Sequence, residues 1–283
     1  MNFRPASLNA AAPRNTLRYT ILVPAYNEER NIVPTVQALV ALLREEQIPF
    51  EILVVNDHSS DGTGEVLAAL RKEMPEVRPV LNTAPRGLGR AIRAGLLHFE
   101  GDVLAVVMAD GSDLPADVVR CYRVIEEGYD CVFGSRFIPG SRVTHYPPLK
   151  LFVNRLVNRM MQAMFLTRHN DLTNAFKVYR RHVIESISPL HAAHFNITIE
   201  MSLSALIRHY RIAAIPITWS GRTWGQSNLR LRQMGRRYLC TLLMIWCERL
   251  LILDDLLTET AAASEPLETP EPASAQSTFS NET

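Results

Sequence analysis

Two aspartates three residues apart, Asp110 and Asp113 in the run ADGSDLP, are the side chains best placed by type and spacing to do chemistry in this chain. They follow the apolar run Val103–Met108, so they leave a buried strand where like charges repel unless a cation neutralises them. A divalent ion bridging a diphosphate does this, because Mg²⁺ or Mn²⁺ prefers oxygen ligands and substrate phosphates. A plainer role exists for Asp113, as a cap on the helix that opens near Pro115. The spacing favours the metal for Asp110 and leaves both roles open for Asp113.

Other polar clusters also sit directly after apolar runs. In VPAYNEE (Val23–Glu29), Pro24 stops a strand, and Asn27 or Glu28 can cap the next helix. The functional alternative stacks Tyr26 on a base and has Glu28 accept hydrogen bonds from a ligand. In VVNDHSSDGT, Asp57 lies just past a strand, where a carboxylate can bond a base or ribose, and Asp61 suits capping. The segment RGLGRAIRAG is not the dinucleotide fingerprint, because Ile92 stands where a third Gly is required. Its glycines suit close approach of a loop to a ligand, and Arg86 and Arg90 either reach phosphates or lie on solvated surface.

Cations follow. Arg136 in FGSRF and Lys150 on the next helix lie near one sheet edge, with Asn154 beside Lys150. Arg binds phosphate oxygens bidentately and Lys acts as a point charge. WSGRTWGQSN offers Arg222 and Ser227 as donors for another phosphate. Beyond the acidic pair, Asp171 in DLTNAFKVYRR is the alternative base, whereas Glu200 reads as structural.

The elements needed to position these groups are legible. β-rich runs at Tyr19–Val23, Glu51–Val55, Arg78–Leu81, Val103–Met108 and Cys131–Gly134 alternate with helical stretches Asn31–Glu45, Thr63–Glu73, Leu88–Phe99 and Pro115–Glu127. This alternation predicts βαβ units and a mainly parallel sheet, in which ligands bind beyond the carboxyl ends of the strands. The second half reads as helices at Leu149–Phe165 and Ile197–His209, a strand at Arg211–Trp219, and a long apolar-basic helix from about Leu229 to Leu257.

Composition narrows the class. Four cysteines without a C-x-x-C pair exclude a disulfide scaffold or zinc ribbon and suit a reducing compartment. Residues 1–16 lack an apolar core and read as a disordered arm. Residues 258–283 carry five Glu and no Lys or Arg and read as a disordered acidic tail, so residues 1–257 are net +6. Residues 201–247 hold seven Arg and no Asp or Glu, which points one end of the body at something anionic. No stretch approaches the roughly 18 uninterrupted apolar residues of a membrane span.

Taken in order, VPAYNEE, VNDHSSDGT, RGLGRAIRAG, ADGSDLP, GSR and RTWGQSN resemble the family-2 glycosyltransferases of GT-A fold, most of all the dolichol-phosphate mannosyltransferases and related polyprenyl-phosphate enzymes. The resemblance covers about Thr20 to Ser227. It implies an α/β, Rossmann-like GT-A domain over 17–228, extended by an amphipathic, membrane-interfacial helix over 229–257. It implies inverting transfer of mannose or glucose from a nucleoside diphosphate sugar (GDP-mannose or UDP-glucose) to a polyprenyl phosphate. The alternatives are a glycolipid or glycan hydroxyl as acceptor, or an inactive nucleotide-sugar-binding subunit. By the same resemblance Pro24, Tyr26, Glu28 and Asp57 contact the nucleotide, and Asp110 and Asp113 hold Mg²⁺ or Mn²⁺. Arg136, Lys150, Asn154, Arg222 and Ser227 hold the acceptor phosphate, with Asp110, Arg136 and Arg222 as the catalytic set. The family's D-A-D-L-Q motif is shifted here, Lys150 and Asn154 replace a usual Arg and Ser, and Asn228 replaces a Lys. The implied setting is cytoplasmic, peripheral on the inner face of a membrane, in envelope or glycan biosynthesis, with no nucleic acid partner.

Overall fold

The computed structural model describes residues 17–221 and 231–264. The strands and helices alternate as β1 (Tyr19–Ala25), α1 (Ile32–Glu45), β2 (Phe50–Asn56), α2 (Thr63–Glu73), β3 (Val77–Leu81), α3 (Leu88–Leu96), β4 (Val103–Val106), α4 (Pro115–Glu126) and β5 (Cys131–Ser135). The rest follows as β6 (Arg142–Thr144), α5 (Pro148–Phe165), β7 (Lys177–Arg180), α6 (Arg181–Ile187), α7 (Ile197–Ile207), β8 (Ile212–Pro216), β9 (Thr218–Ser220) and α8 (Leu231–Ser264).

Every residue of β1 is buried, as a central parallel strand covered on both faces requires. The main sheet has the order β3-β2-β1-β4-β7-β5-β8. Its pairings are parallel except where β7 runs antiparallel between β4 and β5. One face is covered by α1, α2 and α4, through residues such as Leu39, Leu67 and Tyr122. The other is covered by α3, α6, α7 and α8, through Ile92, Ile184, Leu203 and Leu242.

Three local expectations change. β7 is a strand hidden inside the polar DLTNAFKVYRR run, because its Lys177 is buried and paired rather than solvated. The single strand expected over Arg211–Trp219 is two: β8 ends at Pro216, and β9 leaves the main sheet to pair with β6. Pro24 does not end β1, which stays paired with β2 through Ala25. Pairing of β1 with β4 stops at Leu22, so Pro24 sits where one side of the strand is already unpaired.

The helix α8 runs past Leu257 to Ser264. It docks on α7 through buried Leu242 and Ile245, and Arg208 bonds Glu248 at 2.7 Å. Its other faces carry exposed Leu239, Leu243, Met244, Trp246 and Leu251. Among the described residues, no helix is long and apolar enough to cross a membrane.

Candidate active site

The strand order reverses beside β1, so the loops after β1, β2, β4 and β5 gather at one edge of the sheet. The first two loops are laced together. Ser60 N donates to Asn27 Oδ1 at 2.8 Å, Asn27 N to Ser59 Oγ at 3.0 Å and Glu28 N to Thr63 Oγ1 at 2.9 Å. Buried Glu28 accepts from Asn31 Nδ2 at 2.7 Å. The N-cap of α1 is Asn31, without a side-chain cap, so neither Asn27 nor Glu28 plays that part. Asp61 holds the start of α2, accepting from Thr63 N at 3.1 Å, and reaches across to Glu29 N at 3.3 Å.

Asp57 is buried at the end of β2. Its two oxygens accept from Asn82 Nδ2 at 2.7 Å and Gly87 N at 2.9 Å, which pins the loop entering α3. Beside it the Arg86 guanidinium lies 4.3 Å over the Tyr26 ring. The glycines of this segment approach the chain itself: a Cβ on Gly87 or Gly89 would strike the carbonyl oxygens of Ala193 and Ala192.

After β4 the chain turns through Gly111, whose φ of +69° is the left-handed conformation that glycine tolerates. Ser112 N donates to Asp110 Oδ1 at 3.1 Å, and Met108 N to Asp113 Oδ2 at 3.0 Å. Leu114 is the N-cap of α4, with no side-chain cap, so Asp113 is not the cap that its spacing allowed. Instead its main chain pairs with Trp219 of β9 in an isolated antiparallel bridge, and Ser220 N donates to Ser112 O at 3.2 Å. Burial pushes the Asp113 carboxyl up to about 7, and Asp110 and Asp117 add to the shift; the Met108 N–H and Arg136 oppose it.

That is an arrangement a cation would relieve. Among the described residues no group of three or more His, Cys, Asp and Glu side chains converges, so a divalent ion on this pair would take its remaining ligands from phosphate oxygens and water. The residues therefore fit a metal that holds a diphosphate.

Arg136 follows β5. Its Nε and Nη2 donate to Asp171 at 2.8 and 2.7 Å, and its backbone N–H donates to the same carboxylate at 2.9 Å. Burial works against its charge, but Asp171 outweighs burial and holds the guanidinium protonated. The rings of Phe137, Tyr146 and Trp219 surround it at 5.3, 5.5 and 5.6 Å. The loop carrying Asp171 is fixed in turn. Asn154 Nδ2 donates to Thr173 Oγ1 at 2.7 Å, and buried Lys177 donates to Leu172 O at 2.9 Å and to Asn174 O. Burial pulls the Lys177 amine down to about 7.

A cavity of about 580 Å³ joins these parts. Asp110, Ser112 and Asp113 line it, together with Arg136, Lys150 and Asn154. Val153, Val157 and Met160 of α5 and Leu239 and Leu242 of α8 add apolar wall. Sequence reasoning anticipated Asp110, Asp113, Arg136, Lys150 and Asn154, which the fold brings together. Pro24, Tyr26, Glu28 and Asp57 do not line this cavity; they stand in the neighbouring loops. Arg222 and Ser227 lie outside the described residues. Tyr146, Trp219 and Tyr238 also line the cavity, which sequence alone does not announce; the place of Trp219 at the end of the expected strand Arg211–Trp219 is the one available signal.

The sequence profile of Glycosyl transferase family 2 matches residues 20–188. The chain belongs to this family of glycosyltransferases and has its GT-A fold. It is 30% identical over 230 residues to the polyprenol monophosphomannose synthase of Mycolicibacterium smegmatis, covering 79% of this chain and 85% of that one. It is 26% identical over 220 residues to the dolichol-phosphate mannosyltransferase of Pyrococcus furiosus, covering 76% of this chain and 60% of that longer relative. Among solved structures, the glucosyl-3-phosphoglycerate synthase of Mycobacterium tuberculosis, in complex with Mn²⁺, UDP and phosphoglyceric acid, superposes with a TM-score of 0.61. Identity there is 19%, covering 81% of this chain and 78% of that one.

Proposed function

We propose that the protein transfers a hexose, mannose or glucose, from a nucleoside diphosphate sugar to a polyprenyl phosphate, with inversion at the anomeric carbon. The observation that carries this reading is the chemistry that one cavity combines: two carboxylates, two cations and an apolar wall. A lipid phosphate meeting a nucleoside diphosphate sugar calls for that combination. The named activities of the two curated relatives agree with it.

In this reading Asp110 and Asp113 hold Mg²⁺ or Mn²⁺, as the Mn²⁺ complex of the structural neighbour supports. Held by these two carboxylates, such a cation would supply positive charge against that growing on the leaving diphosphate. Pro24, Tyr26, Glu28 and Asp57 seat the nucleotide on the laced loops. Arg136 spends only part of its donor set on Asp171, and with Lys150 it attracts the acceptor phosphate; Arg222 and Ser227 add donors. A phosphate monoester is already ionised near neutral pH, so its oxygen attacks the anomeric carbon without a general base. The described residues agree, since Asp110 and Asp113 are the carboxylates that line the cavity and Asp171 is engaged with Arg136.

The two helices that supply the apolar wall of the cavity also expose Leu149, Phe152 and Leu156 of α5 and Leu239 and Leu243 of α8. This face supports peripheral attachment to a membrane, the inner face of a cytoplasmic membrane in our reading. Offering the enzyme polyprenyl phosphate and the unphosphorylated polyprenol side by side tests the acceptor. Sugar should pass to the phosphate alone, and equal transfer to the alcohol would defeat the reading.

A further inference from the structure

We infer that α8, α3 and the segment before α7 form a second binding pocket, separate from the transfer cavity, that takes the phosphate group of an anionic membrane lipid. The pocket has a volume of about 310 Å³ and is lined by Arg90, His191, His194, Asn196, Arg236 and Arg237, with Met244 at its edge. No carboxylate lines it. Arg90 comes from α3, while Arg236 and Arg237 come from α8, so the charge is assembled by the fold and is not one helix face. None of the three forms a salt bridge with a described residue.

A second observation is independent of charge. Asn196 is 6% exposed, and its Nδ2 donates to Thr241 Oγ1 at 2.9 Å while its Oδ1 has no partner. Oδ1 only accepts, so an anion is met in the turned-over orientation, in which Oδ1 accepts from the Thr241 hydroxyl and Nδ2 is the unpartnered donor. Buried polar groups are normally satisfied, so an orphaned amide on the wall of a pocket marks a place for a polar ligand. Burial and the neighbouring Arg237 and Arg90 keep His194 below the usual histidine range, which is the field an anion would neutralise.

The lipid source follows from what adjoins the arginines. Exposed Met244, Cys247 and Leu251 continue the stripe of Cys240 along the same helix at i+3 and i+4 spacing, so acyl chains leaving a seated phosphate meet an apolar surface. The pocket rests on the reading of α8 as a membrane-facing helix, and it does not depend on which acceptor the enzyme uses.

The test is flotation of the full chain with phosphatidylcholine vesicles, with and without phosphatidylglycerol. Arg90→Gln and Arg237→Gln should each weaken binding to the anionic vesicles by about fivefold or more. Asn196→Asp, which sets a carboxylate in the wall, should do the same. Arg249→Gln is the control, because Arg249 lies on α8 outside the pocket and bonds Met164 O at 3.0 Å; it should change binding by less than about twofold. Equal losses from Arg90→Gln and Arg249→Gln would show diffuse attraction and overturn the pocket. Inorganic phosphate competing no better than chloride at equal ionic strength would also overturn it. If phosphate binds but Arg90→Gln leaves vesicle binding intact, the ligand is a soluble phosphate and the lipid assignment falls. Transfer measured in detergent should be unchanged in Arg90→Gln, and its loss would assign Arg90 to the transfer site instead. A wild-type enzyme that transfers to no polyprenyl phosphate, yet keeps the Arg90 effect, would refute the proposed function and leave the pocket standing.

Discussion

Asp171 grips Arg136 three ways, through two side-chain bonds at 2.8 and 2.7 Å and one to the backbone N–H at 2.9 Å. The two residues stand 35 positions apart, on loops after β5 and before β7, so the pair fastens two sides of the cavity. It also engages the best alternative general base, and in the proposed reading makes Asp171 the residue that aims the cation meant for the acceptor phosphate.

Breaking the pair should therefore cost stability first. Asp171→Asn and Arg136→Ala should each destabilise by about 3–5 kcal/mol, as removal of one partner of a buried ion pair does. Chemical denaturation measures this. The pH–rate profile of Asp171→Asn should keep its shape, at reduced amplitude. Loss of its acidic limb would make Asp171 a base and favour a hydroxyl acceptor.

Metal removal separates two roles of the acidic loop. EDTA should abolish transfer, with Mg²⁺ or Mn²⁺ restoring it, and Asp110→Ala should lower kcat by a factor of about 10² or more. Asp113 gives a signature of its own. Its carboxyl is raised from 3.8 to about 7 in the fold, so between those pH values the folded state holds more protons than the unfolded one. Stability of the metal-free protein should fall as pH rises through this window, and above pH 7 the loss is complete. Asp113→Asn should remove the fall and raise stability at pH 8 by an amount on the order of 1–4 kcal/mol, while abolishing activity. Melting curves in EDTA across the span from 3.8 to about 7, with one further point above it, check the sign.

Lys177 has the opposite linkage. Its amine drops from 10.5 to about 7 on burial, so the unfolded state holds more protons between these values. The contribution of Lys177 should make stability rise with pH across that range. Lys177→Met should flatten the rise and lower stability throughout, because the carbonyls of Leu172 and Asn174 lose their donor. A slope unchanged in the variant would return Lys177 to an ordinary charged state.

Gly89→Ala tests the packing under Asp57. The added methyl meets the Ala192 carbonyl oxygen, which is backbone and cannot swing away. A loss of about 1–3 kcal/mol is expected, read as a fall in Tm of roughly 2–4 °C per kcal/mol. A neutral substitution would show that the 191–194 segment yields.

The parallel sheet and its loops were legible because apolar strands and amphipathic helices alternate from Tyr19 to Ser135. β7 was not, because a four-residue strand reading KVYR carries no period and its lysine looks solvated. Asp110, Asp113 and Arg136 could be read as site residues from their places after strands. Their settings could not: the partner of Arg136 lies 35 residues away, and the role of Asp113 turns on β9, which the sequence did not separate from β8. Likewise, the arginines of α8 read as a basic helix face, and their meeting with Arg90 and Asn196 exists only in the tertiary fold.

In the proposed function the enzyme transfers a hexose onto a lipid phosphate. The direct measurement supplies polyprenyl phosphate and radiolabelled GDP-mannose, UDP-glucose or UDP-N-acetylglucosamine, and counts label in the organic phase. Metal-dependent label should reach the organic phase from GDP-mannose or UDP-glucose, and it should fall severely in Arg136→Ala relative to a folded control. Label that stays in water with every donor, or that reaches a lipid hydroxyl as readily as a lipid phosphate, would contradict it.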